Sequence, residues 1–230
     1  MKKMMILLLG TIVLSSVLST SMAYAHSQNT TSNYHENDKE GLRRFLRQPS
    51  GEKGKLNLEK TGLSISDTLT WNTSEEWIKK IAGISWSDDI TNKRITAISF
   101  KYIKLAGILD CRLFTELNKL QCNNNQLNEI DLTNCSQLTT LDCYNNQLTN
   151  MSITNCSQLK TLSCYTNRLT ELKTTGCTNL NVLHCQNNKL AELELTNCIN
   201  MTFLSCYNNQ LSVLNASKCS NLSTLHCQNK

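Results

Sequence analysis

Five consecutive segments, 117–137, 138–158, 159–179, 180–200 and 201–221, follow one template, L-x-x-L-x-C-x-x-N-x-L-x-x-L-x-L-x-x-C-x-x, and a sixth copy opens at Leu222 and stops at Lys230. This strict 21-residue period constrains the fold more than any single residue does. A unit of that length cannot bury its own apolar stripe, so such units stack into a solenoid in which each covers the next. Within a copy, Leu at position 4 and Cys at position 6 alternate as a strand with one buried face requires. Each copy therefore predicts one turn of a coil, its short strand paired in parallel with the strand of the next turn.

The cysteines follow the period. Cys122, Cys143, Cys164, Cys185, Cys206 and Cys227 form one predicted inward ladder, and Cys135, Cys156, Cys177, Cys198 and Cys219 form a second just upstream of each strand. A short coil has little interior volume, and cysteine is a small, soft, readily buried residue. Disulfides are the competing reading, since neighbouring rungs lie about 4.8 Å apart. In-register side chains, however, point the same way rather than toward one another. Metal binding needs converging ligands, and a line of thiols without C-x₂-C spacing does not supply them. No metal and no cofactor is expected.

Asn125, Asn146, Asn167, Asn188 and Asn209 occupy the third fixed point. The chain turns sharply after each strand and leaves buried backbone groups to satisfy. An inward carboxamide has two donors and an acceptor for them. These five residues are expected to form a structural asparagine ladder, with Ile103 standing where the first, atypical turn would carry its own.

Upstream of the repeats the chain divides into three zones. Residues 1–25 have the parts of a secretory signal: Lys2 and Lys3, an apolar run from Met4 to Val17, and small residues ending Ala23-Tyr24-Ala25, with cleavage expected after Ala25. Residues 26–37 are polar and aperiodic, as in a disordered leader. Residues 38–94 predict a helical cap. Leu42, Phe45 and Leu46 share one helical face, and Trp77, Ile78 and Ile81 share another, the second helix capped by Thr73 with Glu76 as its partner. Trp71, Trp77 and Trp86 suggest a compact apolar plug. The periodic zone, 95–230, comprises one atypical turn, five full copies and one partial copy, with Ile95, Ile98, Phe100, Leu105, Ile108 and Cys111 in the first apolar slots.

The "LxCxxNxL…LTxC" pattern resembles the bacterial secreted and cell-surface leucine-rich-repeat proteins, broadly internalin-like. The segment "DKEGLRRFLRQPS…TWNTSEEW…GISWSDD" is more loosely similar to the caps that precede such repeats, although their paired cysteines are absent here. The resemblance implies an α/β leucine-rich-repeat solenoid, a right-handed superhelix with a parallel concave sheet and a small helical N-terminal cap. It implies a binding face and no single reaction.

On that face, positions 2, 3, 5, 7 and 8 should point outward, and rows 3, 5 and 7 carry the informative residues. They bring Tyr144, Tyr165, Tyr207, Phe203, His184, His226 and Asp142 to the surface, a set suited to anchoring a partner. Position 8 adds Asn124, Asn145, Asn187 and Asn208 as a polar rim. The expected ligand is a protein, with a glycan as the second class, in adhesion or host interaction. The alternative is a hydrolase or enzyme inhibitor acting from the same face, since Asp142, Ser163, His184 and Ser205 share a row. That row is poorly ordered for a triad, because Asp142 adjoins Ser163 and lies about 10 Å from His184. No nucleic-acid partner is expected: without Lys2 and Lys3 the formal charge falls from +5 to +3, with 13 basic against 11 acidic residues in 26–110 and 8 against 7 in 111–230. The processed chain has no expected membrane span and is placed in the secreted, cell-surface or periplasmic space. Self-association through 201–230 is a further expectation, because the last copy closes without a polar cap.

Overall fold

A computed structural model describes residues 33–64, 67 and 74–228. The signal segment, most of the leader, Trp71 and Thr73 lie outside the described residues.

The repeats coil as the period requires. Strands β2 (Ile95–Ser99), β4 (Lys119–Gln121), β6 (Thr140–Asp142), β8 (Thr161–Ser163), β9 (Val182–His184), β10 (Phe203–Ser205) and β11 (Thr224–His226) pair side by side in parallel. The register from β4 onward holds at 21 residues, with Leu120 facing Leu141 and Leu141 facing Leu162. The first step is one residue longer, since Ile98 faces Leu120. β1 (Ile84–Trp86) joins the other edge of β2 in antiparallel fashion and completes an eight-stranded sheet. A second sheet of β3 (Ala106–Asp110), β5 (Gln126–Asp131) and β7 (Asn150–Ser152) lines the other side of the coil, and isolated bridges extend it through Lys173, Glu194 and Asn215. The chain is thus a leucine-rich-repeat solenoid.

Between the sheets lies one continuous core of Leu120, Leu141, Leu162, Leu183 and Leu204 with the leucines and cysteines of the other fixed positions, nearly all fully buried. All twelve cysteines are free, eleven of them buried and Cys227 half-buried. Burial pushes the Cys164 and Cys177 thiols up to about 12 and Cys156 to about 11. Thiols held protonated in this way are poor nucleophiles and poor metal ligands. The upstream row also uses its S–H groups locally: Cys135 Sγ donates to Cys111 O at 3.4 Å and Cys177 Sγ to Ile153 O at 3.2 Å, one rung back in each case.

The asparagines complete the turns. Asn146 Nδ2 donates to Cys122 O and Cys143 O, both at 3.0 Å, while its Oδ1 accepts from Leu127 N at 3.0 Å. Asn167, Asn188 and Asn209 repeat this pattern, and Asn125 instead accepts from Ile103 N and Leu105 N. Each carboxamide ties its own rung to the one before it. Two shorter amide ladders, at template positions 18 and 21, lie beyond the sequence reading. Asn134, Asn155, Asn179, Asn200 and Asn221 each donate to the carbonyl 22 residues earlier.

The cap closes the first turn. Helices α1 (Glu36–Leu46) and α2 (Glu76–Lys80) bury Leu42, Phe45, Leu46, Trp77 and Ile78 against Ile95, Ile98 and Phe100. Asp38, fully buried, receives two bonds from Arg94, at 3.1 and 3.0 Å, and one from Ile95 N at 2.6 Å. Gln48 pairs both its amide groups with the backbone of Ile108, and Asn57 does the same with Ala106, so two side chains occupy the edge that β3 would otherwise expose.

Three expectations need correcting. Helix α1 starts at Glu36 rather than Asp38, because His35 caps it by accepting from Asn37 N at 3.1 Å; Tyr34 also bridges to Lys93, so part of 26–37 belongs to the cap. Helix α2 follows Glu75, with Ser74 Oγ accepting from Glu76 N at 3.1 Å. Ile108 is 42% exposed and Leu109 takes the core slot instead. A register shift between Gly107 and Ile108 puts Ile108 opposite the outward Glu129, and the left-handed φ of 82° at Gly107 accommodates it. Among the described residues no helix is long and apolar enough to cross a membrane.

Candidate functional site

Positions 3, 5 and 7 of the template stand on the outer surface of the eight-stranded sheet because position 4 and position 6 are buried beneath it. The parallel register places equal positions of successive rungs side by side, so rows of like side chains cross the strands.

In the row of position 7, Tyr144 and Tyr165 stack with ring centroids 4.4 Å apart and planes 7° from parallel. Both are half-buried, and burial raises both phenols above the usual tyrosine range. The neighbouring Tyr102 and Tyr165 phenols add to the rise at Tyr144. Tyr207 stands one rung beyond Gln186 and is separated by it from the pair. Tyr102 is a site residue that the template did not reveal. It is 70% exposed and sits in the longer first turn, aligned with Asn124. The signal was available, since the register that pairs Ile103 with Asn125 also pairs Tyr102 with Asn124.

A second group lies toward the C-terminal rungs. Phe203 packs between His184, at 4.6 Å, and His226, at 5.6 Å. Burial lowers the His184 pKa below the ordinary imidazole value, with Asp142 opposing and His226 reinforcing that shift. Asp142 itself lies on the neighbouring part of the face, where Gln121 Nε2 donates to its Oδ2 at 2.9 Å. Ser163 and Ser205, read as outward, are 9% and 3% exposed, because larger neighbours on both sides close over a small side chain. Neither serine hydrogen-bonds to His184 among the described residues, and the imidazole packs on Phe203 instead of being held as a base.

The asparagines of position 8 have a backbone reason to be there. Asn124, Asn145, Asn187 and Asn208 have φ between 52° and 58°, the left-handed region that asparagine tolerates better than most residues. They also pair along the rim, Asn145 Nδ2 with Asn124 Oδ1 at 2.8 Å and Asn208 Nδ2 with Asn187 Oδ1 at 2.9 Å. Thr166 holds the same conformation, φ 54°, and leaves a gap in that run.

Depressions lie away from the aromatic rows. One of about 310 Å³ opens on the second sheet, lined by Glu129, Asp131, Asn150, Met151, Glu171 and Lys173 among others. Another, shallow and amide-lined, lies beside Lys160, Asn181 and Asn200. The aromatic face is open, as a macromolecular contact would need, and no group of three or more histidine, cysteine or acidic side chains among the described residues could hold a metal ion.

No family model and no curated protein matches the chain. Solved structures do. The functional domain of InlJ from Listeria monocytogenes, described as including a cysteine ladder, is similar at 22% identity and a TM-score of 0.47, covering 61% of this chain and 47% of that one. The leucine-rich-repeat protein LIC12759 from Leptospira interrogans is similar at 25% identity and 0.48, covering 60% and 36%. Internalin C2 from Listeria monocytogenes is similar at 19% and 0.42, covering 60% and 86%. The chain therefore spans less than half the length of the first two.

Proposed function

We propose that this leucine-rich-repeat solenoid is an extracytoplasmic binding protein that recognises a partner protein through the outer surface of its eight-stranded sheet, in adhesion or contact with another cell. The observation that carries this reading is the aromatic content of a nearly uncharged face: the stacked Tyr144–Tyr165 pair and the His184–Phe203–His226 group stand on rows whose only charged members, from Lys119 to Gln228, are Lys119 and Asp142. Depletion of charge with enrichment of tyrosine and phenylalanine is the composition of an interface centre. The stack also favours a protein over a glycan. Each tyrosine turns one ring face to the other, so the pair offers edges and hydroxyls rather than a flat platform for a sugar. The sequence of residues 1–25 supports export.

The test is capture of a partner by the immobilised protein from cell-surface extracts, followed by affinity measurement on the captured species. Tyr144→Ala, Tyr165→Ala and Tyr207→Ala together should weaken binding by about 30-fold or more while the melting curve stays within a few degrees. A glycan array that captures the protein when extracts do not would replace the protein ligand. Hydrolytic turnover that vanishes in His184→Ala would replace the binding reading altogether.

A further inference from the structure

The shallow depression of about 480 Å³ lies along one edge of the eight-stranded sheet, where each rung passes from template position 21 to position 2 of the next. Its lining residues, Lys160, Asn179, Asn181, Asn200, Thr202 and Asn221, are all polar. Position 21 supplies asparagine on three consecutive rungs, whereas the two rungs before them carry Gln137 and Gln158. The donors of this row are spent on the coil itself. The Nδ2 groups of Asn179, Asn200 and Asn221 bond to Ser157 O, Thr178 O and Ile199 O at 2.9, 2.9 and 3.2 Å. Asn181 Nδ2 donates to Asn200 O at 2.9 Å, and the Thr202 hydroxyl to Asn181 Oδ1 at 3.0 Å. The acceptors are not spent. Among the described residues nothing donates to the Oδ1 atoms of Asn179, Asn200 and Asn221. The bond that ties each carboxamide to the rung before it also fixes where its oxygen stands, so the wall of the depression carries a row of preset acceptors.

The chemistry of that row selects a ligand class. Acceptor oxygens whose own donors point away repel a carboxylate or a phosphate. Lys160, the one charged residue of the lining, is exposed and forms no ion pair among the described residues, so a cationic ligand is disfavoured as well. A neutral ligand rich in hydroxyl groups suits both, since a hydroxyl donates to an amide oxygen and accepts from an ammonium. Spacing narrows the class further. The rungs hold a 21-residue register and stand about 4.8 Å apart, so the three oxygens recur at that interval. An extended peptide turns an N–H to one edge only at every second residue, about 6.8 Å, and falls out of step by the second rung. An extended β-linked hexose chain of the cellulose type advances by close to one rung per sugar and turns an equatorial hydroxyl to each edge at every sugar. An α-linked chain of the amylose type coils and cannot keep that line.

We propose that this depression is a glycan-binding site for an extended, neutral, β-linked polysaccharide that runs across the rungs. Three successive sugars lie along Asn179, Asn200 and Asn221, each donating a hydroxyl to one Oδ1, while Lys160 donates to a sugar oxygen beside them. The site is separate from the rows that hold Tyr144, Tyr165 and Phe203, and it stands whatever docks on those rows. Its open, shallow form suits a chain that enters from the side and continues beyond both ends. Each neutral hydrogen bond contributes modestly, so affinity depends on keeping step over all three rungs.

The probes are cellohexaose, maltohexaose and hexaserine, titrated against the full protein with the side-chain amide signals of Asn179, Asn200 and Asn221 followed by NMR. Cellohexaose should shift all three and bind at least about tenfold more tightly than either control, since a ligand out of step keeps only one of the three bonds. Asn200→Ala removes the middle acceptor and should weaken cellohexaose binding by about threefold to tenfold. That change also frees Thr178 O, so its melting curve is read alongside. Should it fail to fold, Thr202→Lys decides the matter: it fills the depression, leaves every asparagine–carbonyl bond in place and should weaken binding by at least about tenfold. Tyr144→Ala, Tyr165→Ala and Tyr207→Ala together should leave cellohexaose affinity within about twofold. Equal binding of maltohexaose or hexaserine, unmoved asparagine signals, or full affinity in Thr202→Lys would overturn the proposal. Cellohexaose binding that disappears with the three tyrosines would move the glycan to the aromatic face and overturn this site.

Discussion

The two outward faces of the coil are built from the same period and carry opposite chemistry. On the eight-stranded sheet, rows 3, 5 and 7 hold aromatic, amide and hydroxyl side chains with Lys119 and Asp142 as the only charges beyond the first turn. On the other side, the outward positions of the second sheet and its continuation carry Asp110, Glu129, Asp131, Glu171, Lys173, Glu192 and Glu194. Those charges are solvated or paired locally. Arg112 meets Asp110 at 2.8 Å and Asp131 at 3.2 Å and holds the Asp110 carboxyl below its usual range. A charge must be stripped of water before a partner can cover it, at a cost that pairing only partly returns. The coil therefore keeps its solubility on one face and leaves the other inexpensive to bury. A single 21-residue unit achieves this because alternate residues of each short strand face opposite ways, so the interior is fixed while each exterior row is free to differ.

That separation predicts that the interior, shared by both faces, is where change costs most. Asn146→Ala removes two donations to carbonyls and one acceptance from Leu127 N, leaving those buried groups unpaired. Chemical denaturation should show a loss of roughly 3 kcal/mol or more, since each orphaned group costs about 1–3 kcal/mol. A loss under about 1 kcal/mol would mean that water replaces the carboxamide and that the ladder is not what joins the rungs.

Next in size is the rim of the aromatic face. Thr166 is β-branched and holds φ 54° where four other rungs place asparagine. Thr166→Asn should raise stability by about 1 kcal/mol through relief of that conformation. It would also set a carboxamide between Asn145 and Asn187, joining the two paired runs of the rim. An unchanged or lower midpoint of denaturation would show that the threonine is better accommodated than its backbone angle implies.

The fold could be read from the sequence because every rung reports the same burial. Leu, Cys and Asn at fixed positions are sampled five times over, so the phase of each strand is overdetermined. The first turn is sampled once, and there the reading failed. Ile108 was assigned inward because the alternation cannot register the bulge at Gly107. Asp38 carries no local pattern that marks it as a buried acid, and its partner Arg94 lies 56 residues away in sequence. Gln48 and Asn57 carry no pattern that marks them as stand-ins for a strand edge. On the face itself, rows could be assigned but accessibility could not. Ser163, Ser205 and Asn123 occupy outward positions and are buried by what stands next to them, which depends on the size of neighbours one rung away. Tyr102 belongs to a first turn one residue longer than the template, so only the register of Ile103 against Asn125 marks its place.

A smaller effect separates the faces directly. Glu171→Gln and Glu192→Gln, both exposed on the charged side, should each change stability by less than about 0.5 kcal/mol. Partner affinity should be unchanged within about twofold. A large loss of affinity in either variant would move the docking surface to the acidic side and reverse the comparison.

The smallest expected effect concerns His184, and its sign follows from its surroundings. Burial holds its folded-state pKa below that of the unfolded chain, which is about 6.5. Between the two values the unfolded chain binds more protons, so stability rises with pH across that window and is lost as pH falls below about 6.5. His184→Gln should flatten this acid-side loss in denaturation curves taken at several pH values while leaving neutral-pH stability nearly intact. A variant with the same acid-side slope would assign the loss to other groups. The same proton would place a cation beside Phe203 on a face otherwise poor in charge. Partner binding should therefore weaken as pH falls through the lowered folded-state value, and it should do so less in His184→Gln. No such coupling is expected from the carboxylates of the opposite face, whose charge is already in water when the partner is absent and stays there when it binds.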